Sequence, residues 1–135
     1  MRTEHHLLIS LLGALPFIYI GNYIGALVFV AVGVFVDVDH LVDYYYTFGQ
    51  VTLNPKKLAS RLERKERRGQ LSKYFCPLHA WELAAALSLL SFVHPWCIAA
   101  AMSLVLHLFM DAWGNHTSLF TFFLALRVVR GFRRN

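Results

Sequence analysis

The sequence predicts an all-α integral membrane protein: a four-helix up-down-up-down bundle with a basic amphipathic loop helix and a C-terminal interfacial helix. Three observations predict it. The first is composition. Of 135 residues, 57% are hydrophobic and only 16% are charged, and mean hydropathy is +0.48. A soluble domain this small has too little interior for so much apolar side chain. The second is four apolar runs, Leu7–Ile20, Tyr23–Val36, Leu83–Val93 and Trp96–Met110. Each reaches the ~20 residues of a span only when its polar end is counted as helix. The third is the placement of all thirteen Lys and Arg residues. An up-down-up-down path puts every one on the same side, which the positive-inside rule makes the cytoplasm.

The elements follow in order, as one membrane domain over 1–135. Helix 1 is expected at about 5–20 and helix 2 at about 23–46, separated by the turn dipeptide Gly21-Asn22. Arg2 before an apolar stretch also suits a signal peptide. However, no small-x-small cleavage site follows, and the pattern runs straight into a second apolar segment. A basic surface helix is expected at about 55–68. Asn54 would cap it, Pro55 would fill its first turn, and Glu63 and Arg67 would pair at i,i+4. Helix 3 is expected at about 77–93 and helix 4 at about 95–113, separated by His94-Pro95-Trp96. The tail, about 118–133, starts apolar and ends basic. It reads as an interfacial helix with its arginines toward headgroups. Cys76 and Cys97 are too few for a disulfide framework and fall at opposite ends of the spans.

The remaining polar residues concentrate at one end. His5 and His6 open helix 1. Asp37, Asp39, His40 and Asp43 close helix 2. His79 and Glu82 open helix 3, and His107 and Asp111 close helix 4. At 1.5 Å rise per residue, His6, Asp37, His79, His107 and Asp111 all lie about 17–23 Å from the far turns. Four segments thus place His and carboxylate groups in one layer. Asp37 and His40 share a helix face at i,i+3, as do His79 and Glu82, while His107 and Asp111 pair at i,i+4. Such pairs bind metal from the interior of a bundle. Asp39 and Asp43 share a different face, so one of them is expected to orient a ligand histidine.

Three readings compete for this layer: buried His–Asp ion pairs, an ion or proton path, and a metal site. A path needs polar groups at several depths, but the far half of each helix is nearly all apolar. The metal reading accounts best for so many groups in one plane. Imidazole with carboxylate suits Zn, Mn or Fe, and zinc comes first as a redox-silent Lewis acid, as one or two ions. Cys76, one turn before His79, is near enough to join or to act as a small buried filler.

The segments EHHLLIS, VDVDH, PLHAWEL and LHLFMDAWGN resemble those of the membrane-bound metal-dependent hydrolases. These are small bacterial inner-membrane proteins, distantly related to zinc-dependent phospholipase C. The resemblance covers roughly residues 4–115. It implies metal-ligand roles for His6, Asp37, Asp39, His40, His79, His107 and Asp111. Some members have His-Pro-Leu-His where this chain has Cys76-Pro77-Leu78-His79.

The expectation is a hydrolase of the bacterial cytoplasmic membrane, with the metal site and the C-terminus facing the cytoplasm. Its substrate would be a phospholipid or another membrane phosphoester. Glu82 or Asp43, as a non-ligating carboxylate, would take the proton from the attacking water. The partner is membrane lipid. Anionic headgroups suit the basic loop, and topology explains that loop's charge without nucleic acid. The alternative is a non-catalytic protein whose metal staples four short helices together.

Overall fold

The computed structural model describes residues 3–52, 54, 57, 58, 60–62, 64 and 75–132. Six α-helices with both ends among the described residues are present, and no strand is found among those residues. These are α1 (Thr3–Tyr19), α2 (Tyr23–Phe35), α3 (His40–Phe48), α4 (Trp81–Leu90), α5 (Trp96–Gly114) and α6 (Leu124–Val129). Two 3₁₀ turns interrupt the order, Val36–Asp39 between α2 and α3 and Leu119–Phe122 before α6. Two helical stretches, Tyr23–Phe48 and Trp96–Gly114, are long and apolar enough to cross a membrane. His5–Tyr19 and Trp81–Leu90 are apolar but shorter.

The turns form where the sequence places breakers. Gly21 takes φ +75°, which a Cβ would resist, and Asn22 Oδ1 accepts the Gly25 amide at 2.8 Å to start α2. Gly49 closes α3 in the left-handed conformation at φ +66°. Asn54 accepts the Lys57 amide through its side chain at 3.1 Å. Lys57, Leu58, Ser60, Arg61, Leu62 and Arg64 are helical. The rest of the expected basic helix, including Pro55, Lys56, Glu63 and 65–68, lies outside the described residues. So do Arg2, Lys73, Arg133 and Arg134. Arg61 donates to the buried Tyr44 hydroxyl at 3.1 Å, which ties this helix to α3.

Helix α1 packs on α2, α2 on α5, and α5 on α4. Small residues dominate the contact faces. Ala14, Gly25, Ala26, Gly33, Ala84, Ala99, Ala100 and Ala101 are all buried. The outer faces carry Leu7, Leu8, Leu11, Leu12, Leu15, Ile24 and Leu27, all exposed. Small residues inside let backbones approach closely, as in helix packing within lipid. At the far end from the polar layer, Phe17 and Phe29 meet over Ala14, Ala26 and Ala99. Nearer the layer, Val36, Leu104, Leu108 and Phe122 form a second core.

The tail departs from expectation. The expected single interfacial helix over 118–133 is a 3₁₀ turn followed by the short helix α6, folded back on the protein. Phe122 and Arg127 are buried in it. Arg127 therefore points inward rather than toward headgroups. Two anchors hold the return: Trp81 Nε1 donates to the Leu119 carbonyl at 2.9 Å, and Glu82 accepts the first amides of α6.

Gly33 is the tightest approach of three helices. A Cβ there would overlap Ser10 Oγ and press on Ser103 Oγ at 3.0 Å, and Ser103 is already bonded to the Phe29 carbonyl at 2.6 Å. Gly33→Ala is expected to lower stability by about 1–3 kcal/mol, the range for overpacking a filled core. Thermal unfolding of the detergent-solubilised chain measures this, and an unchanged midpoint would mean that α1 and α5 give way freely.

Candidate metal centre

The 3₁₀ turn sorts the unusual sequence Phe35-Val36-Asp37-Val38-Asp39-His40 into three faces. At three residues per turn, positions i and i+3 eclipse. Val36 and Asp39 are buried, Phe35 and Val38 are exposed, and Asp37 and His40 lie between. An α-helix would have offset residues i and i+3 by a sixth of a turn and smeared these faces. The local change of helix type thus aims Asp37 and His40 together at one point and turns Asp39 to another.

His107 and Asp111 come to the same point from α5, His6 from α1, and His79 from the irregular segment before α4. Three overlapping groups could hold a metal ion: His6, Asp37, His107 and Asp111; Asp37, His40, His79 and Asp111; and Asp39, His40, Cys76 and His79. Each of the seven residues expected as ligands falls in at least one of these groups.

Their hydrogen bonds fix which atoms face inward. His79 Nδ1 lies 3.1 Å from both Asp39 oxygens, with Oδ2 aligned to accept its proton. His107 Nδ1 is 3.2 Å from the Gly33 carbonyl, which can only accept. Cys76 donates to Asp43 Oδ2 at 3.0 Å, so its sulfur is free to accept from His40 Nδ1 at 3.1 Å. In three histidines an outer partner thus holds Nδ1–H and leaves the Nε2 lone pair facing the centre.

Those lone pairs meet. His79 Nε2 and His107 Nε2 are 3.1 Å apart. Two lone pairs at that distance repel unless a proton or a cation lies between them. Asp37 Oδ1 is 3.4 Å from His79 Nε2 and 3.3 Å from His107 Nε2. Asp111 Oδ2 is 3.3 Å and 3.5 Å from the same two atoms. Donors bound at about 2.0–2.1 Å around a tetrahedral ion stand about 3.3–3.4 Å apart. Five of the six separations among these four donor atoms, which come from three segments, are thus close to those of one coordination sphere. On its flanks, His6 Nε2 is 3.2 Å from Asp111 Oδ1, and His40 Nε2 is 3.6 Å from Asp37 Oδ1. The His6 ring stacks on that of His107 at 4.2 Å.

Charge points the same way. Asp37, Asp39, Asp43 and Asp111 gather at one end, and all but Asp37 are fully buried. The Arg127 guanidinium supplies one buried positive charge among the described residues. Histidine nitrogens stand 3.1–3.6 Å from Asp37, Asp39 and Asp111 and offset the carboxylate charge when protonated; a divalent cation bound among them would offset it in the protons' place. Asp37 and His40 keep 23% and 26% of their side-chain surface exposed, whereas His79 keeps none. The cluster opens to its surroundings on that one side.

The two carboxylates expected as proton acceptors are both engaged by donors of the protein. Both Glu82 oxygens accept backbone amides, Leu124 and Ala125, at 2.9 Å. Asp43 accepts the Phe75 amide at 2.9 Å and the Cys76 thiol. Asp39, expected as a ligand, accepts the Leu78 amide at 2.9 Å and orients His79. Sequence reasoning missed Arg127, whose guanidinium bonds the carbonyls of Phe75, Cys76 and His79. Its one sequence signal is a lone Arg inside the apolar stretch Leu124–Val129. His5 is exposed on α1, and His116 sits at φ +51° in the exposed turn after α5.

These roles separate by mutation. Asp37→Ala and His107→Ala should remove the metal. Asp39→Asn should weaken binding by about 10–100-fold, as loss of an outer-shell partner does. Asp43→Asn, which keeps an acceptor for the Phe75 amide, should retain the metal. Elemental analysis of the purified variants distinguishes the three; a metal-replete His107→Ala would break the scheme.

No protein-family model, curated protein or solved structure matches this chain, so the functional reading rests on its own residues.

Proposed function

We propose that the chain is a membrane-embedded metal-dependent hydrolase of the kind it resembles, acting on a phospholipid or another membrane phosphoester at the cytoplasmic face. The observation that carries the reading is the cage of His79 Nε2, His107 Nε2, Asp37 Oδ1 and Asp111 Oδ2, spaced as one coordination sphere. Zinc suits two imidazoles and two carboxylates in a tetrahedral set.

The membrane part of the proposal has α1, Tyr23–Phe48, the segment ending in α4, and α5 crossing as a four-helix bundle. The exposed apolar faces of α1 and α2 support it, because soluble monomers seldom expose so continuous an apolar surface. The small-residue interior supports it as well. The positive charges favour a cytoplasmic site and C-terminus. The site then lies near headgroup depth, with its exposed side at Asp37 and His40.

When bound, the ion supplies Lewis acidity, polarising a phosphoryl oxygen and acidifying water. The chain's own residues do the rest. Asp39, Gly33 and Cys76 hold the three imidazoles in one tautomer. His6 steadies Asp111 through Oδ1. His40 Nε2, at the exposed side, accepts the proton in place of Glu82 and Asp43, which are held by backbone amides. Asp37 Oδ1, 3.6 Å away, steadies the imidazolium that results.

A second reading keeps the metal without catalysis. The cage joins residues from α5, the end of α2 and the segment before α4, so an ion there would staple three elements together. One set of measurements separates the two. The purified full chain should carry one transition metal per molecule and hydrolyse a phosphoester lipid in mixed micelles. Chelation should stop the reaction, and His40→Ala should keep the metal while losing about 10²–10⁴-fold in rate. Metal present, unfolding on chelation and no cleavage of any phosphoester would favour the staple. Absence of metal would sink both.

A further inference from the structure

The segment that carries His79 has no helix or strand of its own. Residues 75–80 form turns and irregular backbone, yet Cys76, His79 and Ala80 are buried. Buried backbone groups without secondary structure need other partners. Side chains supply them from two directions. On one side, Asp43 accepts the Phe75 amide and Asp39 accepts the Leu78 amide, both at 2.9 Å. On the other, Arg127 donates to three carbonyls. Its Nη1 reaches Phe75 O at 3.0 Å and Cys76 O at 2.6 Å, and its Nη2 reaches His79 O at 2.5 Å.

We propose that Arg127 is a positioning residue of the metal centre: through the His79 carbonyl and its two neighbours, the folded-back tail sets where His79 Nε2 stands in the cage. Three features make this more than anchoring of the tail. The planar guanidinium fork spans carbonyls a full turn apart, which fixes the curvature of the segment and not just its distance. One of the three carbonyls belongs to the ligand residue itself. The tail is placed independently of Arg127, because Glu82 caps α6, Trp81 holds Leu119, and Phe122 packs in the core. Arg127 can therefore be altered while the tail stays docked. Its positive charge also lies against the segment that carries His79 and Cys76, where the carboxylates of Asp39 and Asp43 need compensation.

The inference rests on the metal reading of the cage, and one experiment tests each separately. Zinc affinity of the detergent-solubilised full chain is measured by competition with a chromophoric chelator. The visible spectrum of the cobalt-loaded protein reports ligand geometry. The wild type, Arg127→Gln, Arg127→Lys and Arg130→Gln are compared; Arg130 is exposed one turn on. Arg127→Gln should bind zinc about 10–100-fold more weakly, the range for losing an outer-shell contact, and should shift the cobalt spectrum. Arg127→Lys should recover part of both, and Arg130→Gln should match the wild type. If Arg127→Gln does not fold, Arg127→Lys decides alone: affinity and spectrum intermediate between wild type and a ligand variant support the proposal. Wild-type affinity and spectrum in the Arg127 variants, with only a lowered unfolding temperature, would overturn it and leave the metal reading intact. A wild type that binds neither zinc nor cobalt would overturn both.

Discussion

Two imidazole nitrogens, His79 Nε2 and His107 Nε2, face each other at 3.1 Å, and each has its other nitrogen committed to an acceptor outside the cluster. That confrontation is stable only with positive charge between or beside the rings. The rest of this end of the molecule is arranged around it. Asp37 and Asp111 bring carboxylate oxygens to the same point, His6 and His40 stand at their flanks, and Asp39 and Gly33 prevent the rings from turning away. A buried cluster of this kind is costly when half satisfied and rigid when complete. A cation bound among them would therefore also make the four segments one unit.

Packing below the layer makes the convergence possible. Ala and Gly at the helix contacts let α1, α2 and α5 approach until Gly33 touches Ser10 and Ser103. The same backbone gives Gly33 O to His107 Nδ1, so close packing and ligand orientation share one residue. The irregular segment 75–80 can enter this crowded end because side chains replace the hydrogen bonds a helix would have made. Asp39 and Asp43, two of the aspartates that look so costly in sequence, serve this purpose.

Much of the site was legible in sequence because it depends on local periodicity. Counting rise per residue from the far turns places His6, Asp37, His107 and Asp111 in one layer, and the i,i+3 spacing of Asp37 and His40 puts them on one face; His79 reaches that layer on irregular backbone before Trp81, where the sequence predicts helix from about 77. The turns at Gly21-Asn22 and Pro95 were equally local. The division of labour between Asp39 and Asp43 was not legible, since it depends on the switch to 3₁₀ geometry and on a segment some forty residues away. Glu82 looked like a free carboxylate for the same reason: its partners, the Leu124 and Ala125 amides, reach it only because the tail folds back. A basic tail after an apolar stretch has the pattern of headgroup contacts, which is what the sequence predicts for Arg127. Nothing near it in sequence marks the three carbonyls it serves.

X-ray absorption at the metal edge of the purified, detergent-solubilised chain tests the cage most directly, because it counts and types the donor atoms. The geometry predicts a first shell of nitrogen and oxygen at about 2.0–2.1 Å, with outer-shell scattering from two imidazoles. A sulfur shell at about 2.3 Å would contradict it by making Cys76 the principal ligand. A preparation with no bound metal would contradict it outright.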